Sequence, residues 1–372
     1  MKVAINAIPL LSPLTGIGKY TYEITKQLGN LYPDNEYSYF YGYFSRHLRG
    51  RGEFSDTQYH LKEKIKQSSK LRHFVRTMIG FSSCLSAKKH DVYFEPNFIP
   101  LKIRAQKTVV TVADFSFREH PEWHPKDRAD YFSKVFWKKI EMADRIIVIS
   151  DYIKTCAVQY GLPEEKLRTI HLGYDRGIFR CRDKELLQKT RLKYNLPDKF
   201  VLFVGSIEPR KNLHRLLKAY LSLDVRLRTS YKLVLVGFKG WDNRVVMDLL
   251  KQFEQDVIYT GYVSEQELGE IYNLATLFVY PSLYEGFGLP PLEAMACGCP
   301  VLTSPVTSLP EVCGDAASYA DPEDEKSIAK ELTRLLEDES ARKELSRKGI
   351  ERARQFSWER SAREHMEVFR GA

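Results

Sequence analysis

Short apolar runs alternate along the chain with longer segments whose apolar residues recur at helical spacing. The runs are continuously apolar, as expected for parallel strands that helices cover on both faces. The clearest runs are residues 2–6, 109–114, 145–150, 200–206, 232–237, 256–263 and 276–282. This alternation predicts an α/β chain with doubly wound parallel sheets.

Helix starts are predicted where a capping residue follows an apolar run. Ser264 and Glu267 have the spacing of a capping box. Asp151 and Asn212 stand where helical patterns begin, and both residue types are favourable N-caps.

A charged stretch between about residues 172 and 198 interrupts the alternation, and a new strand pattern begins at residue 200. We place a domain junction in this stretch, because 372 residues predict about two domains. The tail from residue 356 predicts a final helix. Two strand–helix domains favour a ligand in a cleft between them, outside the carboxyl ends of the strands.

Composition narrows the class of protein. The six cysteines are scattered and form no CxxC pair or zinc-like cluster, which favours reduced thiols in a cytosolic protein. No run of about 18 apolar residues exists, so a membrane-spanning helix is not predicted. The N-terminal pattern predicts a strand and not a signal peptide.

The net charge of +9 is concentrated in residues 45–76. This segment holds nine Lys/Arg and three Asp/Glu, so it carries 9 − 3 = +6. Such an excess attracts lipid headgroups, nucleic acid or phosphorylated substrates. The alternative is a solvated loop and helix without a partner.

Two glycine-containing turns are candidate phosphate sites. Gly16 and Gly18 open a helical pattern, where a helix N-terminus favours an anion, although an ordinary tight turn fits equally. Gly205 and Ser206 end a strand, and Arg210 and Lys211 follow before the next helix. Two cations beside backbone donors suit a diphosphate, and the alternative is a surface turn.

Two glutamates flank a glycine turn in the segment YEGFGLPPLE. Glu285 lies in the turn and Glu293 within the following helix, while Gly286 and Gly288 permit a close approach to a ligand. Carboxylates accept two hydrogen bonds from a diol, which suits a sugar or a ribose. A paired-carboxylate glycosidase is one alternative. Another alternative is purely structural: Glu285 would interact favourably with the helix dipole, and Glu293 would belong to a buried ion pair.

Asp114 ends another strand, where a carboxylate can orient a substrate hydroxyl or act as a base. His120 and His124 follow in the same loop and are expected to be solvated. No acidic pair stands at a strand end, so no required divalent metal is predicted.

At these residues the chain resembles the family 4 glycosyltransferases, which are retaining enzymes of the two-domain GT-B fold. EGFGLPPLE resembles their E-x7-E signature, GSIEPRKN their diphosphate loop, and NAIPLLSPLTGIGKYTYE their N-terminal glycine loop. The likeness is greatest to the mannosyltransferase-like branch of bacterial O-antigen and capsule synthesis. The GT-B fold implies two Rossmann-like domains, an acceptor-binding one at 1–175 with a crossing-back helix at 357–372, and a nucleotide-sugar-binding one at 176–356.

The resemblance implies a role for each motif. Glu293 would bind the ribose and Glu285 the transferred sugar, while Arg210, Lys211 and Asp114 would complete the catalytic set in place of a metal. The remaining implied donor contacts are Gly16, Gly18, Gly205, Ser206, Val263, Gly286, Phe287, Gly288 and Leu289. No cofactor is expected, because the nucleotide sugar is a substrate.

Two residues depart from the pattern of the resembled family. That family usually carries histidine where Ala113 stands, and often arginine where Ser206 stands. The first departure allows weakened activity or another donor, and Arg210 is expected to compensate for the second.

The sequence therefore predicts a metal-independent hexosyltransferase of the EC 2.4 class. It would move mannose from GDP-mannose to a lipid-linked glycan, at the inner face of the cell membrane or in the cytoplasm. An epimerase or hydrolase of the same fold, or a weakly active transferase using a UDP- or dTDP-sugar, is the alternative. A nucleic-acid-binding module has little support, since few aromatic residues accompany the basic segment.

Overall fold

The computed structural model describes residues 1–11, 16–49, 78, 89–237, 244–253 and 255–371. Two compact units divide the chain. The first comprises Met1–Gly173 with Trp358–Ala372, and the second comprises Tyr174–Ser357. Residues 50–76 of the predicted basic segment lie outside the described residues.

The described part of the first unit contains a seven-stranded sheet. Its strands are β1 (Lys2–Asn6), β2 (Glu36–Phe40), β3 (Phe44–Ser45), β4 (His90–Glu95), β5 (Ala105–Val112), β6 (Arg145–Val148) and β7 (Leu167–Thr169). They lie in the order β3-β2-β1-β4-β5-β6-β7. Every neighbouring pair is parallel except β2 with β3.

Helices cover this sheet, which explains the continuous apolar runs of its central strands. The described helices are α1 (Gly16–Leu31), α2 (Ser116–Glu119), α3 (Lys126–Ile140), α4 (Asp151–Gln159) and, from the C-terminus, the helix Trp358–Arg370. A buried cluster that includes Val110, Phe115, Phe136, Ile146 and Ile153 joins β5 and β6 to α3 and α4. Burial on both sheet faces is the pattern that parallel strands require.

The C-terminal helix Trp358–Arg370 packs against α1 within the first unit. A buried polar chain stabilises this contact. The Tyr20 hydroxyl lies 2.7 Å from both the Thr111 hydroxyl and His365 Nε2. His365 Nδ1 lies 2.7 Å from the carbonyl oxygen of Ser361, which can only accept. Nδ1 therefore carries the proton, and Nε2 accepts from Tyr20.

The second unit contains a sheet of six parallel strands among its described residues. They are β8 (Phe200–Val204), β9 (Lys232–Val236), β10 (Val257–Gly261), β11 (Leu277–Tyr280), β12 (Val301–Thr303) and β13 (Ser318–Tyr319). Their order is β10-β9-β8-β11-β12-β13. The order reverses between β8 and β11, and ligands of open α/β sheets bind beyond the carboxyl ends of strands at such a reversal.

Nine described helices accompany this second sheet. They are α5 (Gln188–Lys193), α6 (Leu213–Leu221), α7 (Val225–Ser230), α8 (Arg244–Gln252), α9 (Glu265–Leu274), α10 (Leu289–Ala296), α11 (Leu309–Cys313), α12 (Glu325–Glu337) and α13 (Glu339–Ala353). The C-terminal helix of the first unit is α14 (Trp358–Arg370). None of the described helices is long and apolar enough to span a membrane.

One of the three predicted caps is confirmed. Ser264 and Glu267 form both hydrogen bonds of a capping box at α9. The prediction for Asp151 is wrong by one residue, since the Ser150 hydroxyl accepts the Ile153 N–H and caps α4. Asn212 occupies the N-cap position of α6, but its side chain makes no capping bond.

The buried His365 predicts an acid-sensitive first unit. Burial lowers the pKa of His365 from its ordinary 6.5 to about 4, so the native state resists a proton that the unfolded chain accepts. Its stabilising contribution is complete above pH 6.5 and falls as the pH drops toward 4. Between pH 7 and pH 5 we expect a loss of about 2 kcal/mol from this one group. Urea unfolding at both pH values measures it.

The matched variant is His365→Gln, which removes the titrating group. All other groups titrate equally in wild type and in His365→Gln. The difference between the two proteins in the pH dependence of the unfolding free energy is therefore due to His365. Equal losses of unfolding free energy in the two proteins would show that His365 contributes nothing to acid sensitivity.

Candidate functional site

The loop after β8 carries two cations to the reversal of the second sheet. It runs from Gly205 through a 3-10 turn at Pro209–Lys211. Asn212 then adopts a left-handed conformation with φ 59°. Its buried amide donates to the carbonyl oxygens of Pro281 and Pro322 at 2.9 and 2.6 Å. Asn212 therefore ties this loop to the one after β11, where sequence analysis assigned it only a cap.

Backbone packing explains the glycine at the end of β9. A Cβ atom on Gly237 would lie 2.0 Å from the carbonyl oxygen of Gly205, and Gly237 has φ +148°. The ends of β8 and β9 thus approach each other more closely than any side chain permits. This contact sets the path of the chain at Gly205 and the half-buried Ser206.

Glu285 is the centre of a buried cluster beyond the ends of β8 and β11. Its Oε1 atom accepts from Lys211 Nζ at 2.6 Å, the Ser282 hydroxyl at 2.7 Å and the Tyr280 hydroxyl at 2.9 Å. Among the described residues, its Oε2 atom accepts from Arg210 at 3.2 Å. One oxygen is saturated, and the other retains capacity for a further donor.

The two cations keep this carboxylate ionised despite its burial. Burial alone would raise the pKa of Glu285, but the charges of Lys211 and Arg210 outweigh it and hold the pKa at about 2. Burial and the neighbouring Arg210 lower the pKa of Lys211, while Glu285 opposes them. The side chains of Lys211 and Glu285 are 9% and 8% exposed, whereas Arg210 is 25% exposed and also binds Glu208 at 3.2 Å. Arg210 is thus the more accessible cation.

A second loop fixes the backbone that carries Glu285. The Glu285 N–H donates to the Thr307 hydroxyl at 3.1 Å. The Ser308 hydroxyl lies 2.8 Å from the Glu285 carbonyl oxygen and 2.9 Å from that of Phe287. Thr307 has φ 56°, a conformation that costs a threonine free energy. The loop after β12 thus clamps the glycine turn in place.

The glycine turn leads directly into α10. Gly288 has φ +113° and precedes the helix, while Pro290 stands in the first turn, where proline is favourable. Gly286 and Phe287 are buried before it, and Leu289 is the first helical residue. Pro290 and Pro291 carry no N–H, so among the first three residues of α10 only Leu289 has an amide that can donate to an anion.

Glu293 is 4% exposed within α10. Burial raises the pKa of Tyr272 on α9, and the negative charge of Glu293 adds to that shift. Val263, 5% exposed, follows β10 and precedes the cap of α9. Glu293 and Val263 are thus placed in the same unit as Glu285, on other elements.

The remaining predicted residues belong to the first unit. Gly16 is exposed and Gly18 is buried in the first turn of α1. Asp114 follows β5, and its Oδ1 atom accepts from the Ser116 N–H at 3.0 Å and the Ser116 hydroxyl at 2.7 Å. His124 Nε2 lies 3.0 Å from that hydroxyl. His124 is therefore part of a polar cluster, although sequence analysis expected it to be solvated.

Four residues of the Glu285 cluster were not predicted: Tyr280, Ser282, Thr307 and Ser308. Tyr280 and Ser282 flank the end of β11, where hydroxyl groups beside a predicted strand end are a usable signal. Thr307 and Ser308 lie more than 20 residues along the chain from Glu285, in a segment without a distinctive pattern. Only the pairing of β11 with β12 brings them close.

The cluster suits an anionic, hydroxyl-bearing ligand. Its two carboxylates, Glu208 and Glu285, already bind Arg210. Carboxylates paired with cations make a poor donor set for a divalent metal. The cations and the amide groups of the glycine turn instead provide directional donors for a phosphate.

Breaking the buried ion pair between Lys211 and Glu285 is expected to destabilise the second unit. Lys211→Met leaves Glu285 buried without its nearest cation, which costs about 3 kcal/mol of unfolding free energy. Adding Glu285→Gln removes the unpaired charge and should restore at least half of that loss. Urea unfolding of the two single variants and the double variant measures the coupling. A double variant whose loss equals the sum of the single losses would contradict this account.

Comparison with known proteins places these motifs in a family. A profile described as "Glycosyl transferases group 1" matches residues 186–354. O-antigen chain mannosyltransferase B of Escherichia coli is 35% identical over 96% of this chain and 97% of its own length. Both the loop from Gly205 to Asn212 and the two glutamates, Glu285 and Glu293, lie inside the matched range.

Solved structures share the fold. Sucrose-phosphate synthase from Thermosynechococcus elongatus matches 100% of this chain and 98% of its own with TM-score 0.74 at 19% identity. HepE of Anabaena, in complex with UDP and glucose, matches 100% of both chains with TM-score 0.69 at 16% identity. The predicted α/β fold class with two Rossmann-like domains is confirmed. The chain belongs to the group 1 glycosyl transferases, the family that sequence analysis predicted.

Proposed function

We propose that this glycosyltransferase moves mannose from GDP-mannose to a glycan acceptor in cell-surface polysaccharide synthesis. The full-length similarity to an O-antigen chain mannosyltransferase supports the sugar and the process. The observation that carries the proposal is the buried cluster of Arg210, Lys211 and Glu285 at the reversal of the second sheet.

The donor diphosphate would bind beside Arg210 and Lys211. Arg210 is partly exposed, so its guanidinium can reach a phosphate oxygen. The backbone of Gly205 and Ser206 and the amides of Phe287, Gly288 and Leu289 would supply further donors. The cations would thus replace the metal of other transferases, so we propose that no divalent metal is required.

The two glutamates would bind two other parts of the donor, its sugar and its ribose. Glu285 Oε2 has acceptor capacity left and would bind a hydroxyl of the transferred sugar. Glu293 would bind the ribose hydroxyls, and the backbone at Val263 would contact the base. Gly286, which has no side chain, would leave room for the sugar.

Transfer would proceed with retention of configuration and without a covalent enzyme intermediate. The bond between the anomeric carbon and the diphosphate oxygen breaks, and the electron pair leaves with GDP. The acceptor oxygen bonds to the same face of that carbon, and its proton passes to a diphosphate oxygen. Arg210 and Lys211 stabilise the negative charge that grows on the leaving group.

In the first unit, Asp114 would bind a substrate hydroxyl, and the glycines at the start of α1, Gly16 and Gly18, would contact the donor. Ser116 fixes Oδ1 of Asp114, so Oδ2 would face an acceptor or donor hydroxyl. Ala113 stands where the resembled branch usually has histidine, so Asp114 would act there without that neighbour.

A donor screen tests the proposed substrate. GDP-mannose is expected to raise the melting temperature more than UDP-glucose or a dTDP-sugar, because a ligand that binds the native state stabilises it. Labelled mannose should pass to a glycan acceptor, before and after treatment with EDTA. Donor cleavage without any acceptor would indicate a hydrolase or epimerase, and transfer from another donor would refute GDP-mannose alone.

Variants of the cluster test the proposed site. Glu285→Gln keeps the side-chain shape and removes the charge, whereas Arg210→Gln removes the guanidinium; each should lower kcat/KM by about 100-fold. Arg228→Gln is the matched control, because Arg228 also binds a carboxylate, that of Asp256 at 2.9 Å, but outside the cluster. Unchanged turnover in Arg210→Gln and Glu285→Gln would refute the site.

Residues 45–76 would attach the enzyme to the inner face of the membrane, where a lipid-linked acceptor resides. The support is the charge of this segment, which attracts anionic lipid surfaces. We expect co-sedimentation with vesicles that contain anionic lipid at low salt, release at high salt, and weaker binding when Lys62, Lys64 and Lys66 are changed to Gln. Absence of binding at low salt would remove this proposal.

A further inference from the structure

Tyr280 is a fully buried residue at the end of β11, and its hydroxyl joins the two charges of the cluster. The hydroxyl donates to Glu285 Oε1 at 2.9 Å. It accepts a hydrogen bond from Lys211 Nζ, which also donates to Glu285 Oε1 at 2.6 Å. The three side chains therefore form a closed ring of hydrogen bonds.

The ring of hydrogen bonds fixes the orientation of the Lys211 ammonium group. Lys211 Nζ has three N–H donors, and bonds to Glu285 and Tyr280 use two of them. Two fixed bonds prevent the group from rotating about its last carbon–nitrogen bond. These two bonds also fix the direction of the third N–H. Among the described residues, no acceptor forms a hydrogen bond with it.

Aromatic packing holds the Tyr280 ring independently of its hydroxyl. The ring is nearly parallel to Phe203 at 6.2 Å and to Phe278 at 5.7 Å between centroids. Both partners are buried strand residues in β8 and β11. Replacement by phenylalanine keeps this packing and removes only the hydroxyl.

We propose that Tyr280 is a positioning residue, whose hydroxyl aims the third N–H of Lys211 at the donor diphosphate. This proposal rests on the proposed function, because it assigns the diphosphate as the acceptor of that N–H. Tyr280 itself does not touch the substrate and acts through Lys211.

The hydroxyl also stabilises the charged form of Lys211. The charged groups that shift the protonation of Lys211 are Arg210, Glu285 and Glu208. Burial raises the pKa of Tyr280 well above its ordinary value, so this phenol stays neutral and remains an acceptor. Loss of an acceptor for an ammonium N–H favours the neutral amine.

Acetylation of Lys211 by acetic anhydride measures this effect without any assay of transfer. The full-length protein is labelled briefly at a series of pH values, and the peptide that contains Lys211 is quantified by mass spectrometry. In Tyr280→Phe we expect the pH of half-maximal labelling to fall by about one unit. Labelling curves that coincide in wild type and Tyr280→Phe would overturn the proposal.

Tyr220→Phe is the matched control. Tyr220 is also a fully buried tyrosine of the second unit, but its hydroxyl lies 3.0 Å from the backbone carbonyl oxygen of Tyr231 and 3.3 Å from those of Arg228 and Asp256. This variant should lose stability without a shift in Lys211 labelling. An equal shift in Tyr220→Phe would show that general loosening, and not the Tyr280 hydroxyl, changes Lys211.

Kinetics then separate positioning from simple structural support. In Tyr280→Phe we expect kcat to fall about tenfold while the donor KM changes less than threefold, since the aimed N–H serves the leaving group. A rise in KM alone would overturn the proposal. If wild type transfers no sugar, the proposed function fails, and the diphosphate assignment fails with it. The labelling series still decides whether Tyr280 controls Lys211.

Discussion

The ion pair between Lys211 and Glu285 is the interaction on which the second unit's candidate site depends. It joins the loop after β8 to the loop after β11, the two strands between which the sheet order reverses. Burying two charges is costly, and excellent geometry with additional hydrogen bonds is needed to offset the cost. Tyr280, Ser282 and Arg210 supply those bonds here. The polar shell is therefore a condition for keeping charge at this position.

The first unit also carries a buried carboxylate where its sheet order reverses. Its sheet order reverses between β1 and β4, and the buried Glu95 lies at the end of β4. Asn6 at the end of β1 donates to both carboxylate oxygens at 3.0 and 2.8 Å. Burial outweighs these hydrogen bonds and the positive charge of Lys139, and it raises the pKa of Glu95 to about 7, against about 2 for Glu285. Cationic partners, more than the position itself, therefore keep Glu285 ionised.

Sequence patterns predicted the strands better than the contacts between them. β1 matches its predicted bounds, whereas most other predicted runs extend one or two residues past the strand ends. β2 and β4 were missed, because tyrosine, histidine and acidic residues interrupt their apolar patterns. Arg210, Lys211 and Glu285 were predicted as separate ligand contacts. Their mutual pairing, the Asn212 tie and the clamp of Thr307 and Ser308 depend on strand order, which local patterns do not encode.

The charge balance of the cluster limits how it can attract a diphosphate. Arg210 and Lys211 contribute two positive charges, and Glu208 and Glu285 contribute two negative ones, so the formal sum is 2 − 2 = 0. A neutral cluster exerts little long-range attraction. Selectivity for the proposed diphosphate must then come from donors with fixed directions, such as the third N–H of Lys211 and the Leu289 amide at the start of α10. Hydrogen-bond donors with fixed directions would thus replace the excess positive charge that binds the anion at a simpler site.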